Sequence, residues 1–327
     1  MNEDWNKFLI NEGINLNDIG EDKNTIPDSF ITPLFSFNLL EITGNEAETF
    51  LQGQFTSNID TLASGQRQIS AWCNPKGKVI TTFFIYRIED RYLILLPAPL
   101  ADEVHRRLQM YILRADVQIN HHSEKNVMIG IRGKVLLEQL FPNNKPAFIN
   151  DSIFFLPVPD PETQRWIAIA PPEKIRSLWE RIKPNAGPVN NDYWHLLDIR
   201  AGIPWLNGNT TEQFLPQELN LEELGGLTYS KGCYPGQEVI ARVHYRGKSK
   251  QQMYRATVVS DTLPRAGMKL YSEDTQQDLG MVLQAVMLSE KTFYLLVTTN
   301  IEYAMNKSVH LEDQNGPVLV FKSPTGS

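Results

Sequence analysis

A chain of 327 residues, 42% of them apolar and 21% charged, can bury a sizeable interior, which excludes wholesale disorder and suggests two or three folded units at about 150 residues each. The net charge of −7 excludes a surface built overall to hold nucleic acid or anionic lipid, leaving only a local reversal of sign. The two cysteines, Cys73 and Cys233, exclude a disulfide framework and a four-cysteine zinc site. The opening Met1-Asn2-Glu3-Asp4-Trp5 has neither a basic nor an apolar stretch, and no apolar run approaches the ~20 residues needed to span a bilayer. The expected setting is therefore a reducing cytoplasm, without membrane contact.

In chain order, a short amphipathic helix is expected over residues 5–10, followed by a polar linker to residue 33. Residues 34–42 read as a strand, and Thr43-Gly44-Asn45-Glu46 offers a capping box for a helix over 45–55. Strands follow at 68–73 and 78–88, joined by the turn Asn74-Pro75-Lys76-Gly77, then at 92–96, before a helix at 99–113. Short apolar strands at 127–131, 153–156 and 166–170 are interleaved with helices at 134–141 and 172–182, the pattern of a split βαβ sandwich. After a linker at 183–188, a helix over 192–201 is capped by Asn190 or Asn191 and stopped by Gly202 and Pro204. From residue 252 onward six short alternating strands without a helix suggest a small closed barrel.

The most informative stretch is Lys231-Gly232-Cys233-Tyr234-Pro235-Gly236-Gln237-Glu238. Pro235 suits the first position of a helix, and Glu238 would complement the dipole in its first turn. Cys233 then precedes a helix start, two residues from Lys231, and both neighbours favour a thiolate. The alternative is an ordinary free cysteine acting as a small hydrophobe, with Gly232 and Gly236 serving a tight turn.

This octapeptide closely resembles the K-G-C-Y-x-G-Q-E motif of the YgfZ family, folate-binding proteins linked to tRNA modification and iron–sulfur enzyme maintenance and related to the T-protein, the aminomethyltransferase of the glycine cleavage system. Gly53-Gln54, Pro75-Lys76-Gly77-Lys78 and Ile199-Arg200-Ala201-Gly202-Ile203-Pro204 extend the resemblance, which covers roughly residues 34 to 327. It implies an α+β, aminomethyltransferase-like fold: a folate-pocket domain over 34–120 completed by a helix-and-motif segment at 189–245, a ferredoxin-like domain over 121–188, and a six-stranded C-terminal barrel over 246–327, with residues 1–33 outside. The cofactor it implies is tetrahydrofolate or a one-carbon derivative. The partners it implies are iron–sulfur or tRNA-modifying proteins.

The T-protein pattern G-x-V-I-D-D reads here Gly77-Lys78-Val79-Ile80-Thr81-Thr82, and Arg200 stands where a glutamate precedes Ala-Gly. Threonine hydroxyls do not replace a carboxylate as acid or base at neutral pH, which argues against aminomethyl transfer. The resemblance places two pocket aromatics at Phe37 and Trp194, each also readable as core. Gln237 and Glu238 are read either as pterin-edge ligands or as helix caps, and Arg200 either as a ligand for a folate carboxylate or as a partner of Asp198 or Glu223.

Arg242, His244, Arg246, Lys248, Lys250 and Arg255 occupy a stretch with no acidic residue from 239 to 260. It reads as a basic hairpin, either simply solvated or facing tRNA phosphates, a polyglutamate tail or an acidic protein. The histidines lack metal-ligand spacing, so no metal site is expected, and neither a P-loop nor a Rossmann fingerprint is present. The leading reading is a tetrahydrofolate-binding accessory protein with Cys233 as functional thiol. The alternatives are a one-carbon transferase or demethylase with a different acid/base set, a thiol-redox protein centred on Cys233, and a direct tRNA-binding module.

Overall fold

The computed structural model describes residues 3–14, 25–122, 125–134, 136, 140–141, 149–150, 152–160, 162–247 and 249–322. They build three sheets around the helix Asp192–Arg200. A five-stranded antiparallel sheet runs Arg67–Cys73, Val79–Ile88, Arg91–Pro97, Phe37–Thr43, Gln118–His121. Val79–Ile88 reads as an apolar run instead of an alternation because it is covered on both faces. The helix Ala98–Ile112 packs on this sheet through Leu100, Ala101, Val104 and Leu108, at the i, i+4, i+8 spacing of one helical face.

The middle sheet is ordered Gly187–Pro188, Phe30–Pro33, Val127–Arg132, Arg165–Ala170, Ile153–Val158, Ile149–Asn150. Phe30–Pro33, in the stretch read as linker, is an inner strand with every residue buried. On one face lie the helices Glu3–Asn11 and Pro172–Ile182, with Trp5 set edge-on to Trp179 at 6.2 Å. Pro172 opens its helix as expected. On the other face Gly130 makes room for Trp194: a Cβ there would come 2.4 Å from the indole ring. The helix expected at 134–141 lies partly outside the described residues; of its described positions, Leu136 and Leu140 are buried.

The C-terminal sheet has the expected six strands, ordered His310–Leu311, Lys269–Ser272, Thr275–Ser289, Thr292–Asn300, Gln251–Val259, Val320–Phe321. It is a curled half-barrel and not the closed barrel anticipated. Two bulges in Thr275–Ser289 curl the sheet. Its two edges are strands of two residues that approach through one bridge, His310 to Val318, too short for a closing ladder. Three local expectations also change. A short helix, Ile301–Asn306, capped by Asn300 Oδ1 on Glu302 N, interrupts the all-strand segment. The capping box at Thr43 and Glu46 does not form, because Glu46 accepts from Asp116 N at 2.7 Å and the helix there is Ala47–Gln52. The helix after the cysteine motif begins at Gln237, two residues beyond Pro235.

Candidate functional site

The cysteine motif forms a corner between two turns. Gly236 is left-handed, with φ of 80°, and precedes the helix Gln237–Arg246; a Cβ on it would lie 2.5 Å from Gly77 Cα and 2.6 Å from Asn74 O. Gly77 is also left-handed, at φ of 76°, and packs under Val239 and Ile240. The two glycine-bearing turns singled out in the sequence therefore touch backbone to backbone, a contact that any side chain would wedge apart. Gly232 has open space around it.

Lys231 Nζ donates to the carbonyls of Phe55 and Ser57, both at 2.7 Å, and lies 5.4 Å from the centre of the Tyr234 ring. The accepting loop is braced by Thr56 Oγ1 donating to Gly226 O and by Ser57 Oγ donating to Ser70 Oγ. Burial pushes the Lys231 amine down to about 8, with Asp60 opposing. Cys233 is exposed on this corner, whereas Cys73 is buried and its thiol is pushed up by desolvation. Gln237 Nε2 donates to Lys231 O at 3.3 Å, so it braces the motif, and Glu238 is exposed in the first helical turn. Tyr234 is buried beneath the corner.

The basic stretch is not a hairpin. Arg242 and Arg246 sit on the second half of the helix Gln237–Arg246, where basic residues complement the dipole, and Lys250 precedes the strand Gln251–Val259. All three are exposed; Lys248 lies outside the described residues. Arg255 points elsewhere, donating to Arg200 O at 2.9 Å.

Phe37 and Arg200 line two different cavities. Phe37 borders a cleft of about 240 Å³ with Ser36, His195, Trp205, Asn207 and Gln284. Its ring is 5.0 Å from Trp205 and 6.2 Å from His195. Burial lowers the pKa of His195 against the opposing pull of Asp198, which favours the neutral imidazole. Arg200 borders a cavity of about 410 Å³ with Asn220, Glu223, Tyr254 and Arg255. Its guanidinium pairs with Glu162 at 3.1 Å, not with Asp198 or Glu223.

Between them, Arg165 and Asp198 form a fully buried ion pair at 2.7 Å. Trp205 Nε1 donates to Asp198 at 2.9 Å, and the Arg165 guanidinium lies 4.6 Å from the centre of the Trp194 ring. Trp194 is thus completely buried and lines neither cavity. Thr81 and Thr82 are buried as well, their hydroxyls donating to the carbonyls of Thr82 and Pro204. Sequence reasoning missed Trp205, His195 and the Arg165–Asp198 pair. The available signal was an acid inside a helix whose neighbours Leu196, Leu197 and Ile199 are all apolar.

With this geometry in place, comparison with known proteins first defines the class. Residues 23–145 match the GCVT N-terminal domain family. The crystal structure of glycine cleavage system aminomethyltransferase T from Bartonella henselae aligns with a TM-score of 0.74 over 91% of this chain and 85% of that one, at 15% identity. The fold is therefore the mixed α+β fold of the aminomethyltransferase T-proteins.

Among curated sequences, the tRNA-modifying protein YgfZ of Hamiltonella defensa subsp. Acyrthosiphon pisum is 28% identical over 88% of both chains. That of Enterobacter sp. strain 638 is 29% identical over 88% of this chain and 90% of its own. The chain is a homologue of the YgfZ proteins.

Proposed function

We propose that this chain is a tetrahydrofolate-binding accessory protein of the YgfZ type, which supports iron–sulfur enzyme maintenance and tRNA modification without transferring an aminomethyl group. The observation that carries this reading is the Cys233 corner. Of two cysteines one is sealed in the core, and the other is exposed on a turn fixed by the Gly236–Gly77 contact and by Lys231 on two carbonyls. A thiol presented to solvent on a rigid turn suits reaction with, or docking to, a second protein. Two cysteines do not complete an iron–sulfur cluster, which takes four ligands, so the partner's groups are needed for any cluster chemistry.

The residues around Phe37 fit a pterin. Aromatic rings from Phe37 and Trp205 wall the cleft, and Ser36, Asn207, His195 and Gln284 offer donors and acceptors to a flat heteroaromatic edge. Tetrahydrofolate would supply one-carbon carrying chemistry there. Among the described residues no carboxylate lines this cleft, and Asp198, behind Trp205, is neutralised by Arg165. The positions where the resemblance expects carboxylates hold buried Thr81 and Thr82 and an ion-paired Arg200. A ligand seated at Phe37 therefore lacks the carboxylate that the T-protein pattern sets beside the folate amine, and the titratable group the cleft offers instead is the imidazole of His195. Trp194 lies off the cleft, under the Arg165 guanidinium that pairs with the Asp198 to which Trp205 donates.

The test uses cells lacking the native chain. Cys233→Ala is expected to leave the protein folded and to lower the content of thiolated tRNA, whereas Cys73→Ser acts only through stability. Full restoration of thiolated tRNA by Cys233→Ala contradicts the role given to the exposed thiol.

A further inference from the structure

The helix that follows the cysteine corner carries an arrangement the folate reading leaves unused. The rings of Tyr229 and His244 stack at 3.9 Å with 24° between their planes. Tyr245 stands edge-on to His244 at 4.9 Å and is 73% exposed, unusual for a large aromatic at a helix end. Glu222 fixes the inner rings from below: Tyr229 donates to it at 3.0 Å, and His244 Nδ1 lies 3.6 Å from its other oxygen. Gln217 also reaches the Tyr229 hydroxyl, at 3.3 Å.

Arg242, Tyr245 and Arg246 share one helical face, at i, i+3 and i+4. Both arginines are exposed, and neither side chain has a hydrogen-bond or ion-pair partner among the described residues. Lys250 follows, exposed, its side chain likewise without a partner among them. Among the described residues, two cationic side chains without a side-chain partner therefore share the face of the exposed ring and a third follows the helix, on a protein whose net charge is −7. A solvated surface gains nothing from a tyrosine ring left mostly exposed, and an apolar protein partner gains nothing from cations that it must desolvate.

We propose that Tyr245, backed by His244 and Tyr229, is a stacking platform for an unpaired base of single-stranded RNA, with Arg242, Arg246 and Lys250 on the flanking phosphates. The complementarity is double: a π-face for a base and cations for the backbone on either side, the recurring composition of single-strand binding surfaces. A duplex offers the phosphates but keeps its bases stacked on one another, so the platform discriminates against it. The proposal deepens the tRNA-related reading above, on which it rests for RNA as the ligand class. It places the contact on the helix that begins four residues after Cys233.

The experiment is fluorescence anisotropy of the full chain with a labelled single-stranded RNA of about 12 nucleotides, and with the same strand in a duplex. Wild type is expected to prefer the single strand. Tyr245→Ala is expected to weaken binding about tenfold or more, while Tyr245→Phe, which keeps the ring, stays within about twofold of wild type. Arg242→Ala and Arg246→Ala should each lower the slope of log affinity against log salt by about 0.7. Tyr245 is exposed, so these variants fold. The proposal is overturned by duplex binding as tight as single-strand binding, by Tyr245→Ala matching wild type, or by no binding at about 100 µM protein, which would leave the surface to a protein partner. A tetrahydrofolate titration of the same samples separates the two readings. Folate binding with no RNA binding removes only the platform; Tyr245-dependent RNA binding without folate binding removes only the cofactor.

Discussion

The contact between Gly236 and Gly77 makes the sharpest structural prediction, because two glycines of the same motif should behave oppositely. Gly236→Ala meets two costs. Its φ of 80° imposes a left-handed backbone, about 1–2 kcal/mol for a residue with a Cβ. The new methyl would also sit 2.5 Å from Gly77 Cα and 2.6 Å from Asn74 O, backbone atoms of a hydrogen-bonded turn that cannot rotate away as a side chain can. Relieving that overlap costs about 1–3 kcal/mol more. The sum, about 2–5 kcal/mol, is set against Gly232→Ala, which meets open space and should stay within about 0.5 kcal/mol of wild type. Urea unfolding followed by tryptophan fluorescence measures both, and the alkylation rate of Cys233 reports whether its corner has moved. A loss below about 1 kcal/mol for Gly236→Ala, or equal losses for the two variants, refutes the glycine contact as the element holding the corner.

Other expectations concern the buried charges. Asp198→Ala leaves Arg165 unpaired at zero exposure and should cost about 3–5 kcal/mol in the same unfolding assay, with Arg165→Met, Asp198→Leu together recovering part of that loss. Lys231 should give stability a pH dependence. Between about 8 and its ordinary value of 10.5 the unfolded chain holds a proton that the folded chain has released. Stability from this group is therefore lowest below about pH 8 and rises through that window. Thermal melts of wild type against Lys231→Gln should show the difference moving in favour of wild type as pH rises; a flat or falling difference contradicts the assignment.

Much of the fold was legible because periodicity reports burial. Ile175, Leu178, Trp179 and Ile182 recur at helical spacing behind Pro172, and that helix appears where expected. Phe30–Pro33 was not legible: it is buried on all sides, has no alternation, and ends in a proline. Gln118–His121 is a polar edge strand with the opposite problem. Closure of the C-terminal sheet depends on the length of its edges, which a count of strands does not contain.

For the candidate site, the Lys231 to Glu238 motif was conspicuous in sequence, but its geometry was not. Lys231 looked like a neighbour for Cys233, whereas its ammonium is tied to Phe55 and Ser57, more than 170 residues upstream. Likewise Phe37 and Trp194 read as a pair, yet Trp205 stands against Phe37 while Trp194 packs under Arg165. Nothing in the spacing of these residues foretells which aromatic faces a cavity and which carries a buried cation.

The central claim is that the Phe37 cleft holds tetrahydrofolate without acting on it. The most direct measurement is a calorimetric titration of tetrahydrofolate into wild type and into Phe37→Leu, which preserves the apolar core. Wild type is expected to show saturable, single-site binding that Phe37→Leu weakens, with no methylenetetrahydrofolate formed when an aminomethyl donor is added. Absence of heat at about millimolar ligand, or binding indifferent to Phe37, would contradict it.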